Sequence, residues 1–303
     1  MNQPIRRFDN LHEYNEYLSL PTLHPLVGVV DFSMAPPMRH SINSFGFYVV
    51  FLKDINCGDM RYGCNYYDYQ EGTLVFLSPG QIAGVVDNGE MFQPKGYALM
   101  FHPDLIRGTQ LGRSIKEYTF FSYESREALH LSEAERHTIM ECLGNIRAEI
   151  SRPVDKHSRR LIVSNIELFL NYCVRFYDRQ FITRETVNLD IITRFEALLH
   201  DYFSGDKAGR EGLPSVKYCA SQLNLSPNYF GDLVKKTTGK TPLEHISLKL
   251  IDAAKELVLD PAKSVSEVAY MLGFQYPQHF SRFFKKHVGV TPGQFRASAA
   301  VAL

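Results

Sequence analysis

Hydrophobic positions change their period partway along this chain. From about Val27 to Phe121 they fall in short runs rich in aromatic and branched residues, among them Phe45-Gly-Phe-Tyr-Val-Val-Phe-Leu52, Thr73-Leu-Val-Phe-Leu77, Ala83-Gly-Val-Val86 and Tyr97-Ala-Leu-Met-Phe101. Turn residues at Asn56, Gly58, Glu71-Gly72, Ser78-Pro-Gly80 and Asn88-Gly89 separate the runs at roughly ten-residue spacing, which predicts an antiparallel sandwich or small barrel. Further on, apolar residues recur at helical spacing. Ile139, Cys142, Leu143, Ile146 and Ile150 make one stripe. Ile162, Ile166, Phe169, Leu170, Cys173 and Tyr177 make a second, and Leu189, Ile192, Phe195, Leu198, Leu199 and Tyr202 a third. The Gly- and charge-rich stretch Ser204 to Gly212 reads as a loop, and a flexible junction is expected near Gln180 to Asn188.

The last ninety or so residues contain a repeat. Phe230, Lys235-Lys236, Gly239 and Thr241-Pro242 fall on Phe280, Lys285-Lys286, Gly289 and Thr291-Pro292 at an offset of fifty. Val216, Cys219, Ala220 and Leu223 fall on Val265, Val268, Ala269 and Leu272 at forty-nine. Each copy opens with a short amphipathic helix, capped in the second copy by Ser264. It then breaks at Asn224-Leu225 or at Gly273-Phe274, where glycine supplies the freedom a sharp turn needs. A second helix opens with Ser226-Pro227, a cap followed by Pro at the first helical position, or with Tyr276-Pro277. It buries Phe230, Leu233 and Val234, or Phe280, Phe283 and Phe284, and ends at Gly239 or Gly289. Helix, tight turn, helix is a helix-turn-helix plan, whose second helix enters a DNA major groove.

The outward residues agree with that chemistry. In the first copy they are Asn228, Tyr229, Asp232, Lys235 and Lys236. In the second they are Gln278, His279, Ser281, Arg282, Lys285 and Lys286. Asn, Gln and Arg read base edges, while Lys pairs with phosphates. A lone Lys-Lys pair is ordinarily a solvated helix end; its recurrence at one register in both copies favours a common ligand. Between the copies, Leu243, Ile246, Leu250, Ala253, Ala254 and Leu257 predict an amphipathic helix about 18 residues and ~27 Å long. Such a connector suits two reading heads about one DNA turn, ~34 Å, apart.

The chain of 303 residues has 33 basic and 33 acidic side chains, a balance that hides an asymmetry. From Pro214 onward there are 11 Lys and Arg against 6 Asp and Glu, which leaves 22 against 27 before it. A basic tail of +5 behind a front of −5 is what a DNA-binding domain joined to a domain of other function produces. No run reaches the ~18 apolar residues of a membrane span, and the start lacks the apolar core of a signal peptide, so the expected location is cytoplasmic. Cys57, Cys64, Cys142, Cys173 and Cys219 show no CxxC spacing. The last three lie on apolar stripes as core residues, while Cys57 and Cys64 flank a turn.

The run from Gly273-Phe through Phe280-Ser-Arg282-Phe-Phe-Lys-Lys, Gly289, Thr291-Pro292 and Phe295-Arg296 resembles the DNA-binding domain of the AraC/XylS family of bacterial transcription regulators. The likeness covers about residues 187–303 closely. The phrases Tyr69-Gln-Glu-Gly-Thr-Leu-Val-Phe76-Leu-Ser-Pro-Gly-Gln81 and Phe101-His-Pro-Asp-Leu105 are similar to the cupin-like sensor domains that many members carry in front. The resemblance implies an α+β chain: a cupin or jelly-roll-like β-barrel at 1–125, a helical dimerisation or linker segment at 126–186, and an all-α DNA-binding domain at 187–303. That domain would hold helix-turn-helix units at about 215–237 and 264–287 joined by a linker helix at 242–259. By position, the family's base-reading places fall on Pro277, Gln278, Ser281 and Arg282, and on Asn228, Gly231 and Asp232. Gly231 has no side chain to read with, and Asp232 repels phosphate although it can accept from cytosine N4. DNA contact is therefore expected from Ser226, Asn228, Tyr229, Asp232, Lys235 and Lys236, and from Tyr276, Pro277, Gln278, His279, Ser281, Arg282, Lys285 and Lys286.

In this family the barrel often holds a small-molecule effector. Candidate contacts are His40, Tyr48, Tyr66 and Tyr67. No His-x-His pair occurs, and His40 and His102 stand alone, so neither metal, cofactor nor catalytic residues are expected. The implied protein is a DNA-binding regulator, more often an activator in the family, with double-stranded promoter DNA, an effector, RNA polymerase and a second copy of the chain as partners. Two alternatives stand beside it: a cupin-type metalloenzyme with an accessory DNA-binding domain, and a ligand-independent constitutive regulator.

Overall fold

The computed structural model describes residues 5–53, 72–85, 87–124 and 127–301. Cys57, Cys64, Tyr66 and Tyr67 lie outside the described residues, as do the turn residues Asn56 and Gly58. The chain divides into two compact units, Met1–Thr183 and Arg184–Leu303.

The first unit contains β1 (Arg6–Phe8), α1 (Leu11–Tyr17), β2 (Val27–Asp31), β3 (Met38–Arg39), β4 (Ile42–Phe45), β5 (Tyr48–Lys53), β6 (Thr73–Leu77), β7 (Ile82–Gly84), β8 (Met91–Phe92) and β9 (Tyr97–Phe101). There follow α2 (Pro103–Ile106), α3 (Gln110–Ser114), β10 (Leu129–His130), α4 (Glu133–Ile150) and α5 (Ser158–Thr183). The strands build a five-stranded antiparallel sheet in the order β10-β6-β5-β9-β2, a three-stranded sheet β1-β4-β7 and the pair β3-β8. Among the described residues this is a sheet-rich layer structure and no closed barrel.

Helices stand where closure would have to occur. The outer edge of β10 is satisfied by a side chain of α5: Gln180 accepts from His130 N at 2.8 Å and donates to Ala128 O at 3.2 Å. Next to it, Arg179 forks onto Glu135 at 2.7 and 2.9 Å and donates to His130 O at 2.6 Å. Glu135 also closes the capping box of α4 with Ser132, so one carboxylate fastens the start of α4 to α5 and β10. At the opposite edge, α4 packs against β2.

Period-two alternation gives the large sheet two faces. One face buries Val30, Val49, Leu77, Ala98 and Met100 with Phe8, Leu11, Tyr14 and Phe45 from α1 and the smaller sheet and Phe47 from the turn between β4 and β5. The other is aromatic: Phe76 lies 4.4 Å from Phe120, and Phe120 stacks on Tyr177 of α5 at 5.5 Å. The two predicted helical stripes are buried as read, Ile139 to Ile150 on α4 and Ile162 to Tyr177 on α5. Cys142 and Cys173 are buried among them, and burial pushes both thiols up.

The second unit is all helical: α6 (Glu185–Ser204), α7 (Lys207–Glu211), α8 (Val216–Gln222), α9 (Pro227–Thr238), α10 (Pro242–Leu259), α11 (Val265–Met271), α12 (Pro277–Val288) and α13 (Pro292–Val301). In place of the loop expected at 204–212 stands α7, supported by the i,i+4 pair Asp206–Arg210 at 2.9 Å and by Ala208, which is fully buried. Within the stretch 180–188 read as the junction, α5 ends at Thr183 and α6 begins at Glu185 with only Arg184 between them, and the two units divide there. Helix α10 lies at the centre of this unit, in contact with α6, α9, α11, α12 and α13. Its buried line is Pro242, Ile246, Leu250, Ile251, Ala254 and Val258. That line is rotated from the predicted one, and Leu243 is 62% exposed.

Candidate nucleic-acid interface

Three of the four helices of the helix-turn-helix units start at a side-chain cap, whereas α12 starts at Tyr276-Pro277 without one. Ser215 caps α8 by accepting from Tyr218 N, and Ser226 caps α9 by accepting from Tyr229 N. Ser264 and Glu267 form a full capping box at α11, and Thr241 and Glu244 another at α10. These backbone N–H bonds hold the Glu244 and Glu267 carboxyls below the usual carboxylate range. The reading helices end in left-handed glycines, Gly239 at φ +75° and Gly289 at φ +89°. Each Gly N–H donates at 2.9 Å to the carbonyl of Lys235 or Lys285.

The corner inside each unit is also left-handed, with Asn224 at φ +57° in the first and Gly273 at φ +88° in the second. Gly273 has a second reason to be glycine. A Cβ there would lie 2.6 Å from Ala208 O and 2.7 Å from Gly212 C, because the end of α7 presses against this corner.

Aromatic edges lock the reading helices in place. Phe230 of α9 meets Phe195 of α6 at 4.9 Å and 86°, and Phe284 of α12 meets Phe295 of α13 at 5.5 Å and 67°. The two contacts are counterparts built by helices that flank opposite ends of α10. Arg296 then fastens α13, with Nε donating to Val258 O at 2.6 Å and Nη2 to Lys263 O at 2.7 Å. In the sequence Arg296 stands only as the last residue of the family-like signature. Here the side chain satisfies one carbonyl that the end of α10 leaves over and one from the loop between α10 and α11.

On α12, Tyr276, Gln278, His279, Arg282, Lys285 and Lys286 are exposed, and Pro277 and Ser281 half-buried. Tyr276 and His279 pack edge to face at 5.3 Å. On α9, Asn228, Lys235 and Lys236 are exposed and Asp232 half-buried. Tyr229, expected outward, is not, and Ser226, expected both as cap and as a DNA contact, is buried as the cap. Tyr229 is 5% and Ser226 4% exposed. Tyr229 widens the buried arc of α9 to Tyr229, Phe230, Leu233 and Val234, while His279 at the same register stays outside because α12 buries only Phe280 and Phe284. Asn228, Lys235, Gln278, Arg282 and Lys285 have no side-chain hydrogen bond, ion pair or ring contact among the described residues.

Of the candidate effector contacts, His40 stacks on Phe92 at 4.1 Å. Tyr48 stacks on Phe101 at 4.9 Å and meets Phe121 edge to face, on the helix-covered side of the large sheet. It therefore faces away from Val49 and the core shared with α1 and the smaller sheet. His102 is a helix cap, its Nδ1 accepting from Asp104 N at 3.2 Å. No helix among the described residues is long and apolar enough to cross a membrane.

Two capped helix-turn-helix units, each with an exposed polar second helix and held on one central helix, define a DNA-binding architecture. Residues 219–298 match the helix-turn-helix domain family, and this part of the chain is a DNA-binding domain of the AraC type. The chain is 37% identical over 94 residues to the transcriptional regulatory protein YesN of Bacillus subtilis, which covers 30% of this chain and 25% of that protein. It is 25% identical over 225 residues to the HTH-type transcriptional regulator YijO of Escherichia coli, covering 74% and 76% respectively. Among solved structures, the C-terminal domain of AraT, a response regulator from Geobacillus stearothermophilus, shares 27% identity with a TM-score of 0.32, over 36% of this chain and 84% of that one. The chain thus spans a quarter of the length of YesN, whereas the match to YijO extends over most of both proteins.

Proposed function

We propose that this protein is a sequence-specific regulator of transcription, in which the second unit reads promoter DNA and the first unit supplies control. The observation that carries the reading is the pair of exposed polar faces on α9 and α12, which repeat at one register and bear Asn228, Lys235, Gln278, Arg282 and Lys285, side chains with no hydrogen bond, ion pair or ring contact among the described residues. The reading heads comprise Asn228, Asp232, Lys235 and Lys236 on α9, and Gln278, His279, Ser281, Arg282, Lys285 and Lys286 on α12. Pro277 and Tyr276 border the second head. Ser226 and Tyr229 act from beneath, as cap and packing residue of the first.

The sheet-rich unit binds a small-molecule effector in this reading, and the protein acts as an activator through RNA polymerase. A homodimer is part of the proposal, supported by the exposure of Leu161, Leu168 and Ile182 on α5, with Ile182 at 74%. Gel-shift titration and footprinting against genomic fragments test the reading. Wild-type protein is expected to protect two successive major-groove segments, and the double variant Gln278→Ala, Arg282→Ala to lose about 1–3 kcal/mol for each base contact removed. Unchanged affinity and specificity in that variant would remove α12 as a reading head.

A further inference from the structure

The first recognition helix contains a residue that its own fold does not require. Gly231 sits in the interior of α9, where glycine is among the least favourable helix residues. Its φ is not positive, so no turn demands it, and a Cβ built on it meets nothing within 4 Å. By helical period it shares a face with Asn228, Asp232 and Lys235, turned away from the buried Phe230 and Leu233. A helix-interior glycine with ordinary backbone and open space around it is the residue that lets a backbone come close to a ligand.

A major groove about 12 Å wide barely admits a helix about 10–12 Å across with its side chains, so the atom at the centre of the inserted face limits how deeply the helix seats. We infer that Gly231 is the point where the first head comes closest to the base edges, and that its missing side chain sets the reach of Asn228 and Asp232. This rests on the DNA-reading function proposed above. An independent feature of the second head agrees with it. At the same three positions α12 has Gln278, Ser281 and Arg282, a larger centre flanked by longer side chains. Short readers around a bare centre suit a helix seated close to the bases; long readers around a serine suit one held farther out.

The test uses the full chain carrying Gly231→Ala or Gly231→Leu, with thermal melts alongside titration of the duplex that the wild-type chain enriches from a randomised library. Both variants are expected to melt at or above the wild-type temperature. Affinity should fall about threefold for alanine and about thirtyfold for leucine, the latter on the order of one lost bidentate contact, with footprint protection weakened at the first head's segment. Unchanged or tighter binding, or a loss no larger for leucine than for alanine, overturns the inference. A lowered melting temperature in either variant does so too, because packing within the fold would then account for the glycine. A wild-type chain that enriches no sequence at all refutes DNA reading itself, whereas one that enriches a sequence and tolerates leucine refutes only the close seating.

Discussion

Replacing Gly273 by alanine separates two costs that the fold combines at one residue. The first is left-handed backbone, which costs an L residue roughly 1–2 kcal/mol. The second is steric: a Cβ at Gly273 would stand 2.6 Å from Ala208 O and 2.7 Å from Gly212 C, and overpacking against backbone costs about 1–3 kcal/mol more. Gly239 and Gly289 are left-handed too, but a Cβ on either meets nothing within 4 Å. Gly239→Ala and Gly289→Ala should therefore cost roughly 1–2 kcal/mol, and Gly273→Ala about 2–5. The unit from Arg184 to Leu303 has an unfolding entropy near 2.1 cal/mol/K per residue, so each kcal/mol corresponds to about 4 °C. Calorimetry of the full chain is expected to lower the transition of this unit by ~4–8 °C for the first two variants and ~8–20 °C for the third. Asn224→Gly at the equivalent corner should leave it nearly unmoved, since φ +57° suits glycine as well as asparagine. A Gly273→Ala loss no greater than that of Gly289→Ala would refute the claim that α7 is pressed against the second corner.

Three further substitutions probe other joints. Arg296→Lys gives up the fork onto Val258 O and Lys263 O and should destabilise the second unit by about 1–3 kcal/mol in urea titration, because an ammonium cannot span both carbonyls; an unchanged midpoint would dismiss the clamp. Arg179→Met should lower the first unit's transition by roughly 1–3 kcal/mol while leaving the second unit's in place, since the bonds from Arg179 to Glu135 and His130 tie α5 to α4 and β10 within the first unit. A single transition that shifts as a whole would contradict the division into units. His245 donates or accepts at 2.9 Å to Thr238 Oγ1 and meets Phe195 edge to face, and burial holds its imidazole below the usual range. The folded state then binds its proton more weakly than the unfolded one, so the neutral ring's stabilisation is complete above pH ~6.5 and is lost as pH falls below that value. Melting temperature should drop between pH 7 and 5, with a shallower slope in His245→Gln; equal slopes would rule the residue out. The depressed carboxyls of Glu244 and Glu267 act in a lower window, giving stability above pH ~4.3 that is lost in acid.

The second unit was more legible in the sequence than the first because its signals are local. A Ser-Pro start, a glycine end and a duplicated Phe and Lys-Lys register each identify a boundary without knowledge of any distant residue, and the structure places them at α9 and α12. Tyr229 was misread because the width of a buried arc depends on the neighbouring helix, which a repeat of spacing cannot report. The helix at 207–211 carried a usable signal in its i,i+4 charge pairs, outweighed by its glycines. In the first unit the run from Phe45 to Leu52 is almost continuously apolar, so alternation could not assign Tyr48 to a face. Barrel closure was less legible still, because it turns on what meets the outer edge of a strand as short as β10. A glutamine on a helix fifty residues away does so.

The side chains at the exposed register of α9 and α12 have a consequence for how such a protein changes. Asn228, Lys235, Gln278 and Arg282 make no side-chain hydrogen bond, ion pair or ring contact among the described residues, while the caps, left-handed corners and aromatic edges that hold the fold are made by other residues. If the proposed reading holds, replacing those four side chains would exchange one target sequence for another at little cost to the fold, so the vocabulary of the protein could drift while its grammar is kept. The two copies of one scaffold already differ there, with Gln278 and Arg282 in one and Asn228 and Asp232 in the other.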